Sequence, residues 1–260
     1  MTQWQRADRP RRRIGRGVEA HATIGSTNDR ARELLDEPHA EGRAIVAEEQ
    51  TAGRGRRGRT WLSPAGRNLM LSVAVRPRVA AANAWQLGMA AALGARSGCA
   101  AFAPLALKWP NDLVSNEGAK VGGLLLETTI DDASVTTAVI GLGINVNWAR
   151  LEMPSEIAVG ATSLAELAGV VIDRADLLGD LLDALDAELL AIEAGLSPLP
   201  RYRQACATLG TTVGVETATG RVEGLAIEID DLGALVIETT AGRVALTSGE
   251  VVRLRAAAPT

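Results

Sequence analysis

Aromatic residues are scarce in this chain: one tyrosine, one phenylalanine and five tryptophans among 260 residues. Any stacking surface must therefore come mainly from tryptophan. Only two cysteines occur, Cys99 and Cys206. Both sit in Ala-rich, helical-looking contexts and read as buried reduced thiols, which excludes a disulfide scaffold. Histidine is limited to His21 and His39, and no Cys/His cluster has ligand spacing, which excludes a structural zinc site. No apolar run reaches the length of a membrane span, because charges, Gly or Pro interrupt each one. The N-terminus lacks an apolar stretch behind its basic residues and does not read as a secretory signal, so a cytoplasmic protein is expected.

What is present is an ordinary soluble composition around one unusual loop. Formal net charge is -4, yet residues 53–67 hold five arginines and no acid. Within them lies Gly53-Arg54-Gly55-Arg56-Arg57-Gly58-Arg59. Glycines let the backbone come close to a ligand, and arginines neutralise oxyanions bidentately, so the loop suits a small anion. It is not a P-loop, because no Gly-Lys-Ser/Thr follows the glycines. It is not a dinucleotide fingerprint either, since no helix can follow through Trp61, Pro64 and Gly66.

The length allows one sizeable core and a small appended domain. Residues 1–18 carry six arginines and almost no apolar content, and read as a basic flexible tail. The main domain is placed at 19–208. Ser26 or Thr27 can cap a helix through Leu35. Strands are expected at 44–48, 68–75, 105–109, 121–128 and 135–140, with a hairpin turn at 116–118. Helices are expected at 81–96 and 173–194, with a shorter one through Arg203. Residues 209–256 form the second domain, where five short strands separated by turns suggest a small β-barrel.

Four segments carry chemistry. Ser26-Thr27-Asn28 opens a helix and, read alone, is a cap. Gln50 precedes the Arg/Gly loop. Lys108-Trp109-Pro110-Asn111-Asp112 ends a strand and offers a cation, an aromatic, an amide and a carboxylate within five residues. Lys120 enters a strand whose interior holds Gly122-Gly123, a weakness unless a ligand or another backbone must approach. Gly141-Leu142-Gly143-Ile144-Asn145 and Ala161-Thr162-Ser163-Leu164 follow later.

In this order, these motifs resemble the bacterial biotin protein ligases over about residues 22–255. The resemblance implies an α+β fold: a biotin/lipoate-ligase-like catalytic domain with a mixed β-sheet flanked by helices, plus a small C-terminal SH3-like β-barrel. It implies that biotin and ATP form biotinyl-AMP and pyrophosphate, and that biotin then passes to a lysine of a biotin carboxyl carrier protein. Nothing before His21 could supply the DNA-binding domain of some members, so a monofunctional type is expected, acting without DNA or membrane, as a monomer or weak dimer.

The resemblance also implies roles. Arg54, Arg56, Lys120, Lys108 and Asp112 become catalytic candidates. Arg54 and Arg56 are placed beside the carboxylate and α-phosphate, Lys120 against biotin and the mixed anhydride, and Lys108 and Arg59 near the triphosphate. Ser26, Thr27, Asn28 and Gln50 would meet the ureido group, whose unmet polar atoms would each cost roughly 1–3 kcal/mol if buried. Arg54, Gly55, Arg56, Lys120 and Gly123 complete the biotin site. Trp61, Trp148 and Asn145 are candidates for adenine, and Asn111 and Asp112 for Mg2+. The sister lipoate ligases share fold and chemistry and remain an alternative, as does an Arg-rich nucleic-acid-binding regulator, which the acidic balance disfavours.

Overall fold

The computed structural model describes residues 3–7, 9 and 13–253. Twelve strands and six α-helices follow one another in those residues. The first sheet uses β1 (Val18–Ile24), β2 (Ala44–Gln50), β3 (Leu69–Val75), β4 (Ala106–Lys108), β5 (Asp112–Val114), β6 (Lys120–Asp131) and β7 (Ser134–Ile144). Its order is β1-β2-β3-β7-β6-β5-β4. Strands β1 and β2 are parallel and every other pair is antiparallel, so the sheet is mixed.

Alternation of side chains along the strands builds two faces. One carries Leu69, Leu71, Val73 and Val75 of β3 with Ile140, Leu142 and Ile144 of β7. It packs in the main core with α2 (Trp85–Gly98) and α5 (Arg174–Glu193). Helix α5 presents Leu178, Leu181, Leu182, Leu185 and Leu189 at helical spacing, all buried, and is capped by Asp173, which accepts from the Ala175 and Asp176 N–H groups. The other face carries a smaller core of Ile45, Ala74 and Val139 beneath α1 (Thr27–Glu33) and the turn after it. Helices α3 (Ser155–Ala158), α4 (Leu164–Ala168) and α6 (Leu199–Ala205) complete the main domain.

The C-terminal sheet contains β8 (Thr212–Glu216), β9 (Arg221–Ile229), β10 (Leu235–Thr239), β11 (Gly242–Leu246) and β12 (Glu250–Arg253). It is a meander whose last strand returns beside the first, in the order β11-β10-β9-β8-β12. Its buried Val213, Val215, Ile229, Leu235 and Ile237 are continuous with the main core. Among the described residues, no helix is long and apolar enough to cross a membrane.

Two expectations fail. Strand β1 begins before the first structured residue read from sequence. The basic flexible tail at 1–18 is also wrong for its described residues. Residues Gln3–Ala7 form a 3-10 turn with Trp4 only 3% exposed, and Ile14 is fully buried. Acids on and before α5 hold this segment: Arg6 pairs with Asp173 at 2.6 Å and Arg9 with Asp183 at 2.7 Å. Arg13 pairs with the buried Glu193 at 2.9 Å. The Arg13 and Ile14 N–H groups both donate to Asp186 Oδ1.

Candidate active site

The floor of the site is the α1 face of the first sheet. Antiparallel register puts Ser72, Gly141 and Leu125 in one row, and Met70, Gly143 and Gly123 in the next. Asp112 stands opposite Gly123. A Cβ on Gly141 would fall 2.2 Å from Asn28 Oδ1, and one on Gly143 would fall 2.4 Å from Trp61 Cε2. These two glycines let α1 and the loop lie against the sheet. The resulting cleft has a cavity volume of about 220 Å3.

Ser26, Thr27, Asn28, Gln50, Arg54, Gly55, Arg56, Trp61, Lys120, Gly123, Asn145 and Trp148 all line this cleft. At one end the lining is uncharged and polar. Ser26 is the N-cap residue of α1, yet its side chain makes no cap hydrogen bond. Gln50 Oε1 accepts from the Thr27 N–H at 2.8 Å and lies 3.0 Å from the Thr27 hydroxyl oxygen. Asn28 Nδ2 donates to Glu127 Oε2 at 2.7 Å.

The other end is cationic. Arg56 donates to Asn111 Oδ1 at 3.1 Å, and Asn111 Nδ2 donates to the Leu124 carbonyl. Lys120 Nζ lies 2.6 Å from Asp112 Oδ1 and 5.9 Å from the Trp61 ring centroid. Burial pulls the Arg56 guanidinium below its usual pKa, Asp112 opposes this, and Arg59 and Arg57 add to it. A half-buried cation with little local compensation favours an anionic partner.

The arginines of the loop separate into different roles. Arg54 lines the cleft, but its guanidinium makes a bidentate pair with Asp29 of α1 at 2.7 and 2.8 Å. That hydrogen bond, supported by Arg32, holds the Asp29 carboxyl below its ordinary pKa. Arg57 adopts a left-handed conformation, φ 57°, and donates to the Glu216 and Thr217 carbonyls of the C-terminal domain. Arg59 pairs with Glu250 at 2.6 Å. The C-terminal sheet thus grips the loop at two points.

Lys108 and Asp112 do not line the main cleft. They border a smaller adjoining cavity together with Arg56, Arg59 and Glu250. The pair expected for Mg2+ fits a resident ion poorly. Asn111 Oδ1 faces Arg56 and Asp112 Oδ1 faces Lys120. Among the described residues no group of three or more His, Cys, Asp or Glu side chains could hold a metal ion.

Sequence reasoning missed Asp29, Ser72 and Glu127. Ser72 carried a signal: on β3 it alternates with the core-facing Leu71 and Val73, so it had to lie on the opposite face.

The sequence and the fold are similar to those of known proteins. The model of the biotin/lipoate A/B protein ligase family matches residues 21–145, and that of the biotin protein ligase C-terminal domain matches 208–254. The bifunctional ligase/repressor BirA of Bacillus subtilis is 34% identical over 242 residues, covering 92% of this chain and 74% of that protein. The chain belongs to the biotin protein ligase family. The biotin–[acetyl-CoA-carboxylase] ligase of Mycobacterium tuberculosis is 35% identical over 249 residues, covering 92% of this chain and 90% of its own. The biotin protein ligase of Aquifex aeolicus, solved with biotin and ATP, superposes with a TM-score of 0.78 at 30% identity, covering 92% of this chain and 99% of that one.

Family membership gives the region after β7 a context. Asn145 Nδ2 donates to the Thr162 carbonyl, and the Asn145 carbonyl accepts from the Leu164 N–H. Trp148, Met153 and Ala161 form a small separate core beside them. Asn145 therefore holds the 148–164 segment against the end of the cleft.

Proposed function

We propose that this protein activates biotin with ATP to biotinyl-5'-AMP and pyrophosphate, and then transfers biotin to a lysine of a biotin carboxyl carrier protein or domain of an acyl-CoA carboxylase. The observation that carries the reading is the polarity of one continuous cleft. Uncharged donors and acceptors from Ser26, Thr27 and Gln50 stand at one end, and Arg56 and Lys120 at the other. A ureido ring with one acceptor and two donors suits the first end. Its carboxylate tail then reaches the cations.

In the first step the carboxylate attacks the α-phosphate and pyrophosphate leaves. Two anions must meet, so fixed cations lower the barrier by offsetting their repulsion. Arg56 and Lys120 take this role, Asn111 orienting the first and Asp112 the second. A carboxylate nucleophile needs no general base, and none is assigned. Arg59 and Lys108, which border the adjoining cavity, are assigned to the leaving phosphates. ATP brings its own Mg2+ as substrate. In the second step a neutral lysine amine of the carrier attacks the carbonyl of the mixed anhydride and AMP leaves. Trp61 and Trp148 offer the aromatic surfaces for adenine. A cytoplasmic location, where ATP is available, belongs to the same proposal.

The direct test is transfer of labelled biotin to a purified carboxylase carrier domain with ATP present. Labelled carrier is expected with biotin, not with lipoate in its place. No transfer from biotin by the folded enzyme would overturn the reading.

A further inference from the structure

Ser72 is fully buried on β3, between two residues of the polar wall. Its Oγ lies 2.6 Å from Asn28 Oδ1 and 2.7 Å from Thr27 Oγ1. A serine hydroxyl has one proton and cannot donate to both. The direction of the network is therefore decided by its ends.

One end is Glu127. Its carboxylate is paired with Arg32 at 2.9 Å and, ionised, only accepts. It takes the Asn28 amide NH2, which turns the Asn28 carbonyl towards Ser72. The serine proton must then go to Asn28. Ser72 Oγ at 2.7 Å and Gln50 Oε1 at 3.0 Å compete for the single Thr27 hydroxyl proton; Gln50 Oε1 already accepts from the Thr27 N–H, so the hydroxyl proton goes to Ser72 Oγ. At the far end, Gln50 Oε1 is already fixed by the Thr27 N–H, which leaves the Gln50 NH2 group as a donor. The chain Glu127–Asn28–Ser72–Thr27 thus runs in one direction, and it sets which wall atoms donate and which accept.

We propose that Ser72 is a positioning residue for the ureido-recognising wall, with Glu127 setting the direction in which its hydroxyl donates. The proposal rests on the reading of the cleft as a biotin site. Neither residue touches the reacting carboxylate or the phosphates. Both act on the affinity and selectivity for the ring, through Thr27 and Asn28.

The test compares wild type with Ser72→Ala and Glu127→Gln in pyrophosphate release, titrating biotin and ATP separately. For Ser72→Ala the KM for biotin is expected to rise about tenfold, the loss of one buried hydrogen-bond partner. The KM for ATP and kcat at saturating biotin stay within about twofold, because uniform ground-state binding alone is weakened. Glu127→Gln, with a side chain that both donates and accepts, shows the same split. In both variants, selectivity for biotin over 2-iminobiotin, whose ureido oxygen is replaced by an imine NH, narrows. A parallel fall in kcat or rise in the ATP KM would indicate a merely structural role and overturn the proposal. So would an unchanged biotin KM in folded Ser72→Ala, or in Glu127→Gln should the first variant not fold. Absence of biotin-dependent pyrophosphate release in wild type would instead overturn the biotin reading itself.

Discussion

Trp61 lies so close over Gly143 that a Cβ there would fall 2.4 Å from its Cε2 atom. The indole can rest on the sheet only because β7 offers bare backbone at that point. Gly143→Ala is therefore expected to push Trp61 and its loop outward. Overpacking of this kind costs about 1–3 kcal/mol, and here the cost falls on a loop that can move. The thermal midpoint should change little while the KM for ATP or biotin rises about tenfold. Unaltered kinetics in Gly143→Ala would show that the indole does not shape the occupied cleft.

Arg56 is the half-buried cation at the junction of the main cleft and the adjoining cavity. Its removal deletes charge where two anions meet and leaves the core untouched. Arg56→Ala is expected to cut biotin-dependent pyrophosphate release by about 100-fold or more, the scale for losing a preorganised charge-stabilising donor. Circular dichroism and the melting temperature should match wild type. Near-normal release would remove Arg56 from the proposed chemistry.

Much of this arrangement was legible in the sequence, and the failures have physical causes. The apolar alternation of β3 and the helical spacing of α5 are local patterns, and both elements formed where expected. Motifs at Ser26, Gln50, Arg56 and Lys120 lie on one cleft because the sheet register brings distant segments side by side. Strand β1 was invisible because it is a half-exposed edge strand whose Glu19, His21 and Thr23 leave no apolar run. Trp4 and Ile14 are isolated apolar residues among arginines. Their burial is decided by acids near and on α5 more than 150 residues away, and no local pattern reports that. Arg54 was placed beside the carboxylate and α-phosphate by the family resemblance, and it does line the cleft. The structure gives its guanidinium to Asp29, a partner visible only once α1 and the loop are adjacent.

The N-terminal segment is a strap, and its stability contribution is measurable. Trp4 is buried and stacks beneath the Arg174 guanidinium, 5.0 Å from the ring centroid. Trp4→Ala is expected to destabilise the protein by about 3 kcal/mol, the lower end for removing a buried tryptophan. Denaturant unfolding at neutral pH measures this, and a cost below about 0.5 kcal/mol, typical of surface positions, contradicts the packing. The anchoring also has a pH dependence of definite sign. The Arg6 hydrogen bond, with the Ala175 and Asp176 N–H groups, holds the Asp173 carboxyl below its ordinary pKa against the opposing effect of burial. A depressed carboxylate pKa gives stability that is complete above the unfolded value and drains as pH falls through the folded one. Arg6→Ala should therefore lower stability at pH 7 and lose that difference in acid below the ordinary aspartate range.

The C-terminal domain reaches the Arg/Gly loop through Arg57 at the Glu216 and Thr217 carbonyls and through Arg59 at Glu250. A glycine-rich segment with five like charges repels itself until an anion or an acid compensates it. The substrate anions and the acids already paired with the loop, Asp29 at Arg54, Glu250 at Arg59 and Glu152 at Arg67, are thus available to order it. Limited trypsin digestion should cut within residues 53–67 in the free enzyme and be slowed by biotin plus ATP. Glu250→Ala removes one partner, so cleavage without ligand should accelerate, and more ATP should be needed for protection. The charge-exchanged pair Arg59→Glu with Glu250→Arg should recover part of that loss, which neither single variant does. Identical digestion of wild type with and without both substrates would mean that the loop does not close over the adenylate. Identical digestion of wild type and Glu250→Ala would leave the C-terminal domain without a part in closing it.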